Sequence, residues 1–398
     1  MPGPLEGIRV FDLTIAMVGP VATKQLGSMG ADVIHVESGV PVAGGFVVPP
    51  LIKGTSIGYI NWNLNKRSIY LDLKREQDRK VAYKILETSD VFVENMRPGA
   101  VDRLGMGYED VSKVNPRIVY VANSGWGSRG PMAEVPGADP MVQMFGGWTS
   151  VTGEPTGEHV GKYEVYRHFT QIDFNAGNFI TQSVLLGLLA RDKTGKGQLV
   201  DISMLHAIIA LQAPKISEFF ASGKTPPLMG SATTTTVPHQ AFLCQDKTWV
   251  AIGIEKEEQW APFCKVMKLD HLTNDARFKI NRDRVVNREQ LIPMLEEAFK
   301  TKPRYHWVME LNEVGVPAGK FREWDEIRFH PQTSETQQII QVPTKAWGTV
   351  YDGGPPYHFS ETPTRVFSTP VPGEHTREIL LEMGLEEDAL PPPSESRR

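Results

Sequence analysis

Short apolar strand patterns alternate with helical ones along this chain, and that alternation leaves few architectures open. Residues 8–12 (IRVFD) read as a buried strand, Gly19-Pro20 opens a helix running to Met29, and residues 33–37 (VIHVE) form the next strand. Together they take roughly the ~30 residues of a βαβ crossover. The pattern then repeats. Residues 67–73 (RSIYLDL) read as a strand, 75–88 carry Val81, Ile85 and Leu86 at helical spacing, and 90–94 and 118–123 read as further strands. Parallel strands need crossover helices, so an α/β fold with a doubly wound, Rossmann-like sheet is expected.

Residues 163–206 carry the chemistry. Asp173 heads a long, nearly uncharged helical run, and a basic glycine turn at 191–197 then leads into a short strand at 199–202. Residues 205–222 read as one more helix, and 224–239, rich in Pro, Gly and Thr, as a linker or mobile loop. Residues 241–254 resemble a hairpin turning at Gln245-Asp246-Lys247, followed by helices near 257–267, 287–300 and 303–314. The expected division is a large domain over 1–200, a linker helix and loop over 201–239, a small α/β domain over 240–325, and a return linker and closing part of the large domain over 326–398.

The chain of 398 residues has a formal net charge of −5, which gives no reason to expect nucleic acid or an acidic membrane as partner. Two cysteines, Cys244 and Cys264, exclude a disulfide framework and suit a reducing cytoplasm. The start of the chain lacks a basic segment followed by an apolar one, so no signal peptide is expected. The most apolar run, 184–190, is far short of the ~20 residues a membrane span needs. A cytoplasmic protein is the expectation.

Gly125-Trp126-Gly127-Ser128-Arg129-Gly130 matches G-x-G-x-x-G, yet Pro131 follows it and the first βαβ unit has only TIAMVGP where a dinucleotide fingerprint would sit. It reads better as a flexible turn at the C-terminal edge of the sheet, where open α/β folds bind ligands. Asn95, Arg97 and Arg103 follow another strand end and are suited to hydrogen-bond and hold phosphate, with Lys66-Arg67 near a further strand. The ten histidines show no H-x-x-x-H or H-E-x-x-H spacing, which disfavours zinc, and no G-x-S-x-G elbow is present. Asp173 itself has two readings, a helix N-cap or a carboxylate nucleophile held ionised by the helix terminus. The residues alone do not separate them.

Taken together, LEGIRVFDLT, GPVATKQLGSMGADVIHVE, NKRSIYLDLK, VENMRPGAVDRLGMGYEDV, NPRIVYVANSGWG, GADPMVQMFGG, ARDKTGKGQLVDISMLHA, VPAGKFREWDEIRFHPQ and GEHTREILLEMGL resemble the family III CoA-transferases in family order. The resemblance implies a large domain made from both chain ends, a small domain between them, and two subunits threaded as interlocked rings, as a homodimer or with a related subunit. It implies acyl-CoA and a carboxylic acid as substrates, with no tightly bound cofactor. It places the nucleophile at Asp173, whose carboxylate would pass through an aspartyl anhydride and an aspartyl-CoA thioester. Contacts to CoA are implied for Ala16, Met17, Val18, Asn95, Met96, Arg97, Arg103, Ser124 and Gly125. Backbone donors for the oxyanions are expected from the 125–130 loop and from the helix start after Asp173.

The sequence departs from the family at Ser38 and Ser124, where relatives carry basic residues, and at Thr233–Thr236, where formyl-CoA transferase has a glycine-rich lid. In the racemase branch a histidine pairs with the aspartate, and here its position is Ala138. An α-methylacyl-CoA racemase is therefore the weaker alternative, and a less active partner subunit of a hetero-oligomer is another. Arg167-His168 are suited to pair with the distal carboxylate of a dicarboxylic acid. This points to succinyl-CoA as donor and a dicarboxylate as acceptor. Trp126, Trp148 and Phe169 would accommodate an aryl-substituted succinate.

Overall fold

The computed structural model describes residues 1–37, 49–153 and 170–386, which fall into two compact units. The first unit comprises the described residues within Met1–Gly146, Val165–Ala213 and Gln332–Arg398, and the second those within Gly147–Glu164 and Pro214–Pro331.

The first unit is built on a parallel sheet of β1 (Arg9–Leu13), β2 (Asp32–Glu37), β5 (Arg67–Tyr70), β6 (Val91–Glu94), β7 (Val119–Ser124) and β8 (Gln198–Ser203). A two-residue ladder, β3 (Leu51–Ile52) with β4 (Thr55–Ser56), lies between β2 and β5 in sequence. The spatial order is β5-β2-β1-β6-β7-β8, with Val10 paired to Val33 on one side and Val91 on the other. Strand order therefore reverses between β1 and β6, and the crevice outside that switch point is where doubly wound sheets bind ligands.

Helices α1 (Val18–Ser28), α2 (Ile57–Trp62), α3 (Glu76–Glu87), α4 (Tyr108–Val114), α5 (Asp139–Phe145), α6 (Gln171–Thr194) and α7 (Met204–Leu211) follow in chain order. On one face, α3 and α4 close a core in which Phe11 meets Phe92 edge-on at 5.0 Å and Phe92 meets Tyr120 at 4.6 Å. On the other face α6 packs on α1, tied by Gln25 to Asn178 and Thr181. Helix α6 stops where Gly195 adopts φ 75°, a left-handed conformation that suits glycine. Its last turn is fixed by Arg191, buried with its guanidinium 2.9 Å from Asp90.

The second unit has an antiparallel sheet of β9 (His239–Leu243), β10 (Trp249–Gly253) and β11 (Ala318–Lys320) over a core that includes Trp260, Phe263, Phe299 and Trp307. The hairpin β12 (Ile339–Thr344) and β13 (Gly348–Gly353) returns to the first unit and packs with α2 through Val342, Trp347, Val350 and Ile60.

Three expectations change here. The helix expected over 205–222 is two, α7 and Ala213–Ser222, because Pro214 removes a backbone donor and crowds the preceding turn. Helix α7 is part of the first unit and not a linker, since Asn175 Nδ2 donates to Ala207 O at 2.9 Å and Gln212 Nε2 to Gly146 O at 2.8 Å. The threonine run is a pinned turn: Thr236 N donates to Thr233 Oγ1, Arg288 Nη2 to Thr233 O at 2.9 Å, and Asn281 Nδ2 to Thr235 O at 2.8 Å. Among the described residues no helix is long and apolar enough to cross a membrane.

Candidate active site

The C-terminal ends of three neighbouring strands, β1, β6 and β7, carry most of the expected contact residues. After β1 the chain turns sharply, and a buried acid fixes the turn. Asp12 accepts from Thr14 N at 3.0 Å, Thr14 Oγ1 at 2.5 Å and Thr23 Oγ1 at 2.8 Å, with Lys66 Nζ at 3.0 Å and His35 Nδ1 at 3.1 Å. Burial works to raise the Asp12 pKa, but the Lys66 and His35 charges and these hydrogen bonds hold it well below the usual carboxylate range. Asn95, just past β6, grips the same turn from the other side: Ile15 N donates to its Oδ1 and its Nδ2 donates to Ile15 O, both at 2.8 Å. Between these anchors Ala16 is exposed with φ 60°, a left-handed conformation that a residue with a Cβ holds only when its surroundings impose it.

The segment after β6 presents two cations. Arg97 and Arg103 are exposed and have no ion-pair or hydrogen-bonding side-chain partner among the described residues. Met96 packs against the hydrophobic core, and its amide donates to Glu94 at 2.7 Å. Glu94 is buried, and burial, reinforced by Asp102 and Asp201, pushes its carboxyl up to about 8. Lys66 and Arg67, expected to help hold a phosphate, are engaged by acids: Lys66 by Asp12, Arg67 by Asp32, Glu378 and Glu382.

The loop after β7 is pinned and not flexible. Gly127 N donates to Ser124 Oγ at 3.0 Å, Leu205 N to Gly125 O at 3.0 Å, and Ser128 Oγ to Asp201. Gly125 and Gly137 press together so closely that a Cβ on Gly137 would lie 2.8 Å from Gly125 Cα and 2.9 Å from Trp126 Nε1.

Asp173 lies in the first turn of α6, half-buried, and it does not cap that helix. The N-cap residue is Thr170, held at φ 33°, and its side chain makes no capping bond; its hydroxyl donates to Met17 Sδ instead. The cap comes from Asp139, buried at the start of α5, whose Oδ2 accepts from Ile172 N at 2.8 Å and Asp173 N at 3.1 Å. Gln143, one turn on, donates to the other Asp139 oxygen. The Asp173 carboxylate is left with no hydrogen bond among the described residues. Burial, then the negative charge of Asp139, pushes its pKa up to about 7. A carboxylate that is desolvated, and unpaired among the described residues, has the surroundings that suit a nucleophile.

Residues 5–376 match the family described as CoA-transferase family III. The chain belongs to CoA-transferase family III. A succinyl-CoA:glutarate CoA-transferase from Mus musculus is 31% identical over 384 residues, covering 96% of this chain and 86% of that protein. An acetyl-CoA:oxalate CoA-transferase from Acetobacter aceti is 33% identical over 355 residues, covering 89% of this chain and 88% of that protein. The crystal structure of a CAIB/BAIF family protein from Brucella suis superposes with a TM-score of 0.83 at 28% identity, covering 96% of this chain and 100% of that one.

In this family III CoA-transferase the residues expected to contact CoA separate by what they touch. Ala16, Met17 and Val18 form the turn after β1 and the start of α1; Val18 is buried and its carbonyl is approached by Gly177 of α6. The Asn95 amide is committed to the turn, and Ser124 and Gly125 to the loop after β7, while Arg97 and Arg103 are unpaired among the described residues. Trp126 is buried, edge-on to Phe145 at 5.1 Å. Arg167, His168, Phe169 and Ser38 lie outside the described residues. Ala138 offers no base to partner Asp173. At the α6 start Asp139 takes the amides of Ile172 and Asp173 and Thr170 O takes that of Phe174, so none of these three is open to an oxyanion. Asp139 is the functional residue that sequence reading missed. Its signal was present as an Asp-Pro pair at a helix start in the segment GADPMVQMFGG.

Proposed function

We propose that this CoA-transferase moves CoA from succinyl-CoA to a dicarboxylic acid, with Asp173 as transient acyl carrier. The observation that carries the reading is the division of labour at α6: Asp139 satisfies the helix amides, so the Asp173 carboxylate is free to react. The dicarboxylate preference draws on relatives named for glutarate and oxalate.

In the first step an Asp173 oxygen attacks the thioester carbonyl, the C–S bond breaks, and CoA thiolate leaves a mixed anhydride. The thiolate then attacks the aspartyl carbonyl; succinate departs and an aspartyl-CoA thioester remains. The acceptor carboxylate attacks that thioester, expelling thiolate and forming a second anhydride. Thiolate attack on the acceptor carbonyl yields the new acyl-CoA and regenerates Asp173. Each step exchanges one activated acyl bond for another, so no separate energy source is required, and no external proton is consumed. Arg97 and Arg103 would meet the CoA phosphates beside the switch-point crevice.

The apolar side chains exposed on α5, α6 and α7, among them Met144, Phe145, Leu186, Leu189 and Ile209, suit burial by a second subunit in an interlocked dimer. A cytoplasmic location fits two buried free cysteines. The test is incubation with succinyl-CoA and a panel of acids, followed by mass spectrometry of the CoA esters. Glutaryl- or another dicarboxylyl-CoA is expected; no exchange with any acid contradicts the reading.

A further inference from the structure

Among the described residues, two polar side chains beside the loop after β7 are buried with a polar atom left unpartnered. Asn123, the residue of β7 before Ser124, is 3% exposed, and its Oδ1 is buried with no hydrogen bond; no described residue bonds its amide at either end. Trp126, three residues on, is 8% exposed, and its indole Nε1 is buried and unpaired. Leaving such groups unpaired costs about 1–3 kcal/mol each, so a native fold keeps them where something else pairs with them.

Their position indicates what that is. Asn123 shares a sheet face with Val119 and Val121, and Val119 packs directly under Gly187 of α6, where an added Cβ would sit 2.4 Å from Val119 Cγ1. Helix α6 connects two adjacent parallel strands, so it runs antiparallel to β7. Four residues up the strand are about 13 Å, which matches about nine residues down the helix from Gly187. Asn123 is thereby level with Asn178, about 7 Å along the helix from Asp173. Trp126 stands on the loop that closes the same end.

We infer that Asn123 and Trp126 read the second carboxylate of the acid carried on Asp173. This rests on the dicarboxylate reading above and names the residues that impose it. The indole offers an N–H, and the Asn123 amide offers another once turned, its two ends being interchangeable. Both donors are neutral. A cation in their place would pair with Asp173 and hold its carboxylate in an unreactive ion pair; neutral N–H groups bind a distal carboxylate without that cost.

The test is the ratio of kcat/KM for glutarate to that for pentanoate, with succinyl-CoA as donor, in the wild type, Asn123→Leu and Trp126→Phe. Both substitutions remove the donor, Asn123→Leu at nearly constant size and Trp126→Phe with an aromatic ring retained, and melting temperatures establish that each variant folds. The ratio is expected to fall roughly ten- to a hundred-fold in each variant. An active wild type whose ratio is kept within twofold in either folded variant overturns the inference alone. A wild type inactive with every acid overturns the dicarboxylate reading and the inference with it.

Discussion

The Asp139 carboxylate receives the backbone amides of Ile172 and Asp173 at 2.8 and 3.1 Å, so one acid caps the helix and its neighbour is left to react. Asp139 does two things through this contact. It fixes the first turn of α6, and it places a negative charge next to Asp173, which adds to burial in raising the Asp173 pKa.

That pairing predicts a pH dependence. Asp173 must be ionised to attack, so kcat/KM should rise with pH through about 7. In Asp139→Asn the cap keeps an acceptor but the charge is gone, so the acidic limb should move to lower pH. Asp139→Ala should also lose the cap, lowering stability by about 1 kcal/mol. An acidic limb unmoved in Asp139→Asn would show that the two carboxylates do not communicate.

Arg103 is exposed and has no ion-pair partner among the described residues, which leaves its guanidinium available to an anion. Arg103→Ala should raise KM for acyl-CoA roughly tenfold and flatten its salt dependence, with kcat less affected. Steady-state kinetics at two ionic strengths reads both.

Asn95 acts at one remove. Asn95→Ala removes both bonds to Ile15 and lets the left-handed Ala16 relax, so the turn after β1 loses its shape. KM for acyl-CoA should rise several-fold while the melting temperature falls by a few degrees, consistent with loss of about 1–2 kcal/mol. Asn95→Asp, which restores only the acceptor, should recover part of the effect.

Gly137 has no room for a side chain. Gly137→Ala would drive a methyl to within 2.8 Å of Gly125 and 2.9 Å of the Trp126 indole nitrogen. The loop after β7 must shift, and a loss of about 1–3 kcal/mol in stability together with a fall in kcat is expected. Denaturant unfolding and initial rates check it.

The inner strands of the sheet were legible because β1, β6 and β7 are buried along most of their length and read as largely apolar runs, as in VFV and IVYV. The position of Asp173 at a helix head was equally plain. Its role was not. Whether an acid caps depends on what else reaches the helix amides, and Asp139 does so from 33 residues away in sequence. The same applies to Lys66 and Arg67, whose basic character invited a phosphate while Asp12 and Asp32 already engage them. The hairpin at β12 and β13 escaped notice because its strands alternate weakly and, of its residues, Val342, Trp347 and Val350 are the ones buried in a core among the described residues. The reach of Asp139 to the α6 amides and the pairing of Lys66 with Asp12 link residues far apart in the chain, and such contacts leave no periodic trace in a sequence.

The central claim is that Asp173 becomes acylated. Wild-type protein mixed with acyl-CoA and quenched with hydroxylamine or borohydride should carry the modification on the peptide containing Asp173, as read by mass spectrometry. Asp173→Ala should show neither the modification nor turnover. Modification on another peptide, or turnover surviving in Asp173→Ala, would contradict the account.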